Sequence, residues 1–378
     1  MRTTDATVTE LMTAMGHEQV VLVADAPSGL RAIIAVHSTA LGPSLGGIRF
    51  WRYPSEHDAV VDALRLSEAM SLKAAAAGLH QGGGKAVVLV DDPDQPRSEE
   101  LLRAMGRTID ELGGRYIAAE DVGATPRDMD LISAETPWVT GVDEELGGSG
   151  DPSPVTAVGV MHGMRAVCSE MFGEAALDGR RVVVQGAGHV GAHLVRLLGE
   201  SGADVGVADI NRERAAEVAA RFGARVHDAQ SVVQEPCDIL APCALGGVIS
   251  RDVVPTLQCR AIVGAANNQL SDPSVAEHLA ARGIVYAPDF VVNAGGIINI
   301  AEEFVGYSRE RALAKAAMIE ATTARVLTEA RTLGCTTERA AEELARRRIA
   351  AEAIPGGRWH PGSPAAWTAG QPLRSLRP

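Results

Sequence analysis

Arg181-Val-Val-Val-Gln-Gly186-Ala-Gly188-His-Val-Gly191 joins a short β-rich run directly to a glycine-spaced turn. Val190, Leu194, Leu197 and Leu198 then recur at helical spacing up to Gly202. Asp204-Val-Gly-Val-Ala208 is a second β-rich run, and it ends in Asp209. The order is strand, GxGxxG, helix, strand, acid, with the acid eighteen residues after the third glycine. Further short strands are expected at Asp238–Ala241, Ala261–Val263 and Gly283–Ala287. Strands alternating with helices specify an α/β chain with a doubly wound parallel sheet.

A lone GxGxxG is weak evidence, but here each glycine has a task. Gly186 permits the tight turn, Gly188 lets backbone approach a pyrophosphate, and Gly191 lets helix and strand pack closely. The turn from Gly186 to Gly191, with His189 and Val190, is therefore the candidate pyrophosphate cradle at a helix N-terminus. Asp209 is placed to accept hydrogen bonds from the adenosine ribose, and its charge would repel a 2′-phosphate. NAD is favoured over NADP, although Arg212 lies close by.

Upstream, Gln19–Ala24 and Leu30–His37 are β-rich runs separated by the turn signal Pro27-Ser-Gly29. Ser55 to Lys73 reads as a helix, with Ser55 as N-cap, Asp58 three residues on, and Val60, Leu64, Ser67 and Leu72 near one face. A glycine cluster ends it, Lys85–Val90 is a short buried strand, Ser98–Leu112 a second helix and Arg115–Ala119 the next strand. The breakers around Gly147-Gly-Ser-Gly-Asp-Pro-Ser-Pro154 put a boundary near residue 142. Residues 1–141 are expected to be one domain and 142–335 the dinucleotide-binding Rossmann domain. The chain after Gly296 looks helical to about Ile349, with Thr336 or Thr337 capping a helix over about 336–353 that returns to the first domain. Residues 355–378 lack an apolar period and read as a mobile tail, with Trp359 and Trp367 as possible docking points.

The chain contains three lysines among 35 basic residues: Lys73, Lys85 and Lys315. Two of them flank His80-Gln-Gly-Gly-Gly84. Arginine keeps its proton in a protein, whereas a desolvated lysine can drop several pKa units and act as acid or base. Lys73 and Lys85 are thus candidates for ammonium chemistry, and Glu120-Asp121 at a strand end supplies the best carboxylate. Together they can move protons around a carbon that loses hydride, with the other lysine holding an anionic part of the substrate.

Composition limits the alternatives. The net charge is −13, which argues against nucleic-acid and anionic-membrane partners. No apolar run is long enough to span a bilayer, and Met1–Glu10 lacks the apolar core of a signal peptide, so a cytoplasmic location is expected. The five cysteines form no CxxC spacing, and no His/Cys cluster suggests a metal.

The chain resembles the amino-acid dehydrogenase family that includes the glutamate, leucine, phenylalanine and valine enzymes, and within it the valine and leucine dehydrogenases. The resemblance rests on His37–Arg49, Lys73–Lys85, Tyr116–Gly123, Ala241–Gly247, Gly264–Leu270 and Tyr286–Gly296, and runs from about His17 to about Ala350. It implies an N-terminal α/β substrate and oligomerisation domain, a Rossmann domain, a cleft between them, and a homo-oligomer of two or more copies. It implies that Lys73 binds the substrate carboxylate with backbone near Gly46 and Gly47. Lys85 activates the water that attacks the iminium, and Asp121 exchanges protons with the amine. Asn268 and Asn293 serve substrate or nicotinamide, with Thr156 and Ala265 on the cofactor side.

The implied reaction takes an L-amino acid, NAD and water to a 2-oxo acid, ammonia and NADH, reversibly. The side-chain pocket corresponds to Leu45, Ala119, Ile297 and Ile300. All four are apolar, so glutamate should be rejected, and the two isoleucines favour a small aliphatic side chain. Two alternatives stay open: a dehydrogenase for phenylalanine or an unusual amino acid, and a catalytically silent NAD-binding regulator.

Overall fold

The computed structural model describes residues 6–142, 148–354 and 356–360, and the chain divides into two compact units. The first takes the chain up to Gly150, Ile300–Ser308 and the residues from Ala345 on; the second takes Asp151–Asn299 and Arg309–Leu344. Asp143-Glu-Glu145 and Trp367 lie outside the described residues.

The first unit contains α1 (Val8–Met15), β1 (Gln19–Asp25), β2 (Leu30–Ser38), β3 (Ser44–Trp51), α2 (Glu56–Ala76), β4 (Gly82–Leu89), α3 (Glu99–Glu111), β5 (Tyr116–Glu120) and α4 (Pro126–Ser133). Its sheet runs β1-β2-β4-β3-β5. β2 is antiparallel to β1 and β4, whereas β3 is parallel to β4 and β5.

Side chains alternate faces along a strand, and the core clusters assign those faces. Ile48, Phe50, Ala86, Val88, Tyr116 and Ala118 pack with Leu102, Met105 and Ile109 of α3 and with Met129 and Ile132 of α4. Ile33, Ala35 and Val87 pack on the other face, against Ala59, Val60, Ala63 and Leu64 of α2. By the same period Leu45, Gly47 and Arg49, Gly83 and Lys85, and Ile117 and Ala119 belong to the α2-side face. Ser55 caps α2 as expected: its Oγ accepts from the Asp58 N–H at 3.1 Å and donates to the Asp58 carboxylate at 2.7 Å.

β4 differs from the sequence expectation. It begins at Gly82, so the three glycines expected only to end the helix lie inside the strand, ahead of Lys85. The reason is tertiary. A Cβ on Gly83 would stand 2.1 Å from the Ser71 nitrogen, and one on Gly84 would stand 2.6 Å from the Tyr116 ring. Close approach of α2 and β5 thus requires glycine in a strand, against local propensity.

The second unit contains α5 (Ser153–Phe172), β6 (Arg181–Gln185), α6 (His189–Glu200), β7 (Asp204–Ala208), α7 (Arg212–Phe222), β8 (Arg225–Val226), β9 (Cys237–Pro242), β10 (Cys259–Ile262), α8 (Val275–Ala281), β11 (Val285–Tyr286), α9 (Asp289–Val292), α10 (Gly295–Ala301), α11 (Arg309–Ala317), α12 (Ile319–Leu333) and α13 (Thr337–Ala351). The division between units falls within α10 and within α13. Its parallel sheet runs β11-β10-β9-β6-β7-β8, so the strand order reverses beside β6. In doubly wound sheets this reversal opens the ligand crevice. Val183, Leu240 and Ile262 carry the core on one face, with Val254, Leu257, Leu279 and Tyr286.

The segment after Gly296 is not one continuous helix. A 3₁₀ turn at Glu302–Val305 separates α10 from α11, and Gly334, at φ 61°, caps α12. Thr336 Oγ1 accepts the Arg339 N–H at 3.3 Å and starts α13. Among the described residues no helix is long and apolar enough to cross a membrane.

Candidate active site

Two adjacent glycines bring β3, β4 and β5 together. A Cβ on Gly46 would stand 1.7 Å from the Gly84 carbonyl oxygen. One on Gly47 would stand 2.5 Å from Asp121 Cβ and 3.2 Å from Lys85 Nζ. Beneath them, the fully buried Tyr116 donates its hydroxyl to the carbonyls of Gly46 at 2.7 Å and Gly47 at 3.2 Å. The space that glycine leaves at position 47 is the space in which Lys85 and Asp121 meet.

Lys85 Nζ donates to Asp121 Oδ2 at 2.7 Å, with the two side chains 5% and 23% exposed. Arg49 Nε donates to the same oxygen at 3.0 Å. Burial pushes the Lys85 ammonium below the ordinary lysine pKa; the Asp121 charge opposes this and the Arg49 charge adds to it. Burial alone would push Asp121 up, but Lys85 and Arg49 together outweigh it and hold the carboxyl below its ordinary value. The pair is therefore a carboxylate held below its ordinary pKa beside a lysine held below its own. That is the arrangement of a lysine that exchanges its proton readily.

Lys73 sits in the last turn of α2, whose Ser67 and Ser71 lie against Gly83. Leu45 is fully buried and faces Ile117 in register; Ala119, 5% exposed, pairs with Gly47. Ile297 is buried and Ile300 partly exposed, both on α10. Arg49 and its own support, Asp62, escaped the sequence reading. The signal was present: residues 45, 47 and 49 share a face on any strand.

In the second unit the glycine loop follows β6 and opens α6. Gly188 is the N-cap of α6 with no side-chain cap, and a Cβ there would meet nothing within 4 Å. A Cβ on Gly191 would stand 1.9 Å from the Gly186 carbonyl oxygen, so helix and loop touch through glycine. Ala187, Gly188, His189, Ala192 and Arg214 line a surface pocket here. Asp209 Oδ2 accepts the Ala187 N–H at 2.7 Å, and Oδ1 accepts the Asn211 N–H at 2.8 Å. A carboxylate has about four acceptor sites, so a ribose hydroxyl can still be accepted. Uncapped N–H groups, an open Cβ position and an anchored carboxylate fit a dinucleotide.

Asn293 Nδ2 donates to the Ala265 carbonyl at 3.1 Å and to Asn267 Oδ1 at 2.9 Å. Asn268 has a positive φ of 51° and gives its carbonyl to Gly247 N–H at 2.7 Å. Thr156 lies in the first turn of α5, and a Cβ on Gly296 would stand 3.2 Å from its Oγ1. These residues form one loop-and-helix group at the β9–β10 side of the sheet. Among the described residues, no group of His, Cys, Asp or Glu is placed to hold a metal ion.

Comparison with known proteins finds matches along both units of the chain. Residues 17–138 match the model of the Glu/Leu/Phe/Val dehydrogenase dimerisation domain. Residues 147–212 and 207–354 match the glutamate/leucine/phenylalanine/valine dehydrogenase model. The chain is similar to leucine dehydrogenase of Geobacillus stearothermophilus, 49% identical over 338 residues, covering 89% of this chain and 92% of that protein. It is equally similar to valine dehydrogenase of Streptomyces virginiae, 49% identical over 337 residues and covering 88% and 94%. The crystal structure of L-tryptophan dehydrogenase from Nostoc punctiforme superposes with a TM-score of 0.83 at 40% identity, covering 91% of this chain and 99% of that one. The glycine-lined Lys85–Asp121 pair and the Rossmann loop thus lie on a chain that belongs to the Glu/Leu/Phe/Val dehydrogenase family.

Proposed function

We propose that the chain catalyses the reversible, NAD-dependent oxidative deamination of a small branched-chain or aliphatic L-amino acid to its 2-oxo acid, ammonia and NADH. Family membership implies a nicotinamide cofactor. The observation that carries the reading is the buried Lys85–Asp121 pair in the space left by Gly47.

When bound, NAD accepts the hydride of the substrate α-carbon. The residues of the chain bind, orient and move protons. Lys73 takes the substrate carboxylate, with backbone of Gly46 and Gly47 alongside. Asp121 exchanges protons at the amine nitrogen. Lys85, its pKa lowered by burial, takes a proton from the water that adds to the oxidised α-carbon, and returns one in the reverse direction. The loop from Gly186 to Gly191 and the α6 N-terminus hold the pyrophosphate, while Asp209 selects the unphosphorylated ribose and hence NAD. Thr156, Ala265 and Asn293 serve the nicotinamide side, and Asn268 the substrate.

In this reading the substrate side chain is met by Leu45, Ala119, Ile297 and Ile300, all apolar. With no cation among them, a distal carboxylate would be buried unpaired at a cost of several kcal/mol. The first unit is the substrate and oligomerisation domain, as its match to a dimerisation-domain model supports, and the protein works as a homo-oligomer in the cytoplasm. The likeness to a tryptophan dehydrogenase favours one rival, an aromatic substrate.

The test is initial-rate NADH formation with L-valine, L-leucine, L-isoleucine, L-2-aminobutyrate, L-phenylalanine, L-tryptophan and L-glutamate. Turnover confined to the aliphatic acids supports the reading. Turnover of aromatic acids alone would keep the chemistry and overturn the pocket assignment.

A further inference from the structure

Asp121 is held from two sides through one oxygen. Lys85 Nζ and Arg49 Nε both donate to Oδ2, and Oδ1 accepts no hydrogen bond from the described residues. Arg49 is itself anchored. Its Nη1 donates to Asp62 Oδ2 at 3.0 Å, and the Tyr53 hydroxyl donates to that oxygen at 2.6 Å. Arg65 takes the other oxygen of Asp62 at 2.9 Å. The guanidinium thus spans two carboxylates, one on α2 and one after β5, with only 20% of its side chain exposed. A planar fork can bridge two such acceptors in fixed geometry, whereas an ammonium acts as a point charge.

We propose that Arg49 is a positioning residue of the reaction: bridging Asp62 and Asp121, it commits Oδ2 of Asp121 to the two cations and leaves Oδ1 for the substrate amine. The inference rests on the assignment of Lys85 and Asp121 to proton transfer. Asp62 and Tyr53 act through Arg49, and none of the three needs to touch substrate. The charged and titratable groups around the pair are Arg49 of β3, Lys85 of β4, Tyr116 of β5, Asp62 and Arg65 of α2, and Tyr53. Arg49 opposes protonation of both members of the pair, because its charge lowers the Lys85 and Asp121 pKa values alike.

The experiment compares wild type, Arg49→Gln, Arg49→Lys and Tyr53→Phe as full chains, by kcat, KM and the pH dependence of kcat/KM for L-valine, with thermal melting alongside. Arg49→Gln is expected to lose about 100-fold in kcat with KM within about threefold, since only orientation in the transition state is disturbed. Its acid limb should move to higher pH, because the cation that opposes Lys85 protonation is gone. Arg49→Lys should keep the limb near wild type and still lose rate, as the charge remains and the bridge does not. Tyr53→Phe, the mildest change, should lose several-fold in kcat at unchanged KM.

An unmoved acid limb in folded Arg49→Gln, or wild-type kcat in Tyr53→Phe should Arg49→Gln fail to fold, overturns the inference. Absence of wild-type turnover with every amino acid would instead sink the functional reading beneath it.

Discussion

Lys85 Nζ and Asp121 Oδ2 are 2.7 Å apart, and the lysine side chain is the more buried of the two. Burial first, and the Arg49 charge behind it, hold the ammonium below the ordinary lysine value of 10.5, with Asp121 pulling the other way. In the proposed mechanism deamination needs Lys85 neutral, so kcat/KM is expected to fall as pH drops through the depressed lysine pKa. The acid limb of the profile is expected below 10.5. Asp121→Asn removes the opposing anion and should move the limb further toward acid, while costing about 10²–10⁴ in rate. A limb that moves toward alkali in Asp121→Asn would contradict the coupling.

Gly47 sets the room for that pair. The methyl of Gly47→Ala would arrive 2.5 Å from Asp121 Cβ and 3.2 Å from Lys85 Nζ. Displacement of catalytic groups by about 1 Å costs on the order of 100-fold in rate. Steady-state kinetics on the folded variant should show that loss at retained NAD affinity; unimpaired kcat would mean the pair does not act there.

Asp209 ties the glycine loop to the next turn through the Ala187 and Asn211 N–H groups. Asp209→Ala should weaken NAD binding by about tenfold, the worth of roughly 1.4 kcal/mol in a charged hydrogen bond. It should also narrow the preference over NADP, since the repelling charge is gone. Titration calorimetry with each cofactor checks both, and an unchanged ratio would remove Asp209 from cofactor selection.

His37 offers a stability prediction apart from catalysis. It is buried, bonded through Nδ1 to Ser71 Oγ at 2.7 Å, and its ring lies 4.8 Å from that of His17. Burial, and then the His17 charge, push its pKa from 6.5 down to about 4; Glu68 and Arg346 act in opposite senses behind them. A depressed histidine binds its proton more readily when unfolded. Stability is therefore complete above 6.5 and drains away as pH falls toward about 4, by on the order of 3 kcal/mol. Urea midpoints should fall across that window in wild type and less steeply in His37→Gln. Equal slopes would assign the acid sensitivity elsewhere.

The Rossmann half was legible because strand, GxGxxG, helix and acid each carry a local stereochemical demand. The lysines stood out by rarity, and Asp121 by its place at the end of a strand. What escaped was β3, from Ser44 to Trp51, and with it Arg49. Two consecutive glycines lower strand propensity, and the contact that requires them, Gly46 against the Gly84 carbonyl, is made with a residue far along the chain. Gly82–Gly84 misled in the same way. Trp359 lies in a stretch that looks structureless by period, yet it is buried, and its backbone N–H donates to Thr39 Oγ1 at 2.9 Å. Thr39 in turn is held by Glu18, which also binds Arg115. No periodicity announces a site assembled from such distant residues.

The central claim is that the lysine buried against Asp121 carries NAD-linked deamination of a small aliphatic amino acid. Its most direct test is NADH formation from L-valine by wild type and by Lys85→Ala, with NAD affinity measured on both. The account predicts steady turnover in wild type and at least about a 100-fold loss in the variant at unchanged NAD affinity. A Lys85→Ala enzyme that turns over L-valine at the wild-type rate would contradict it.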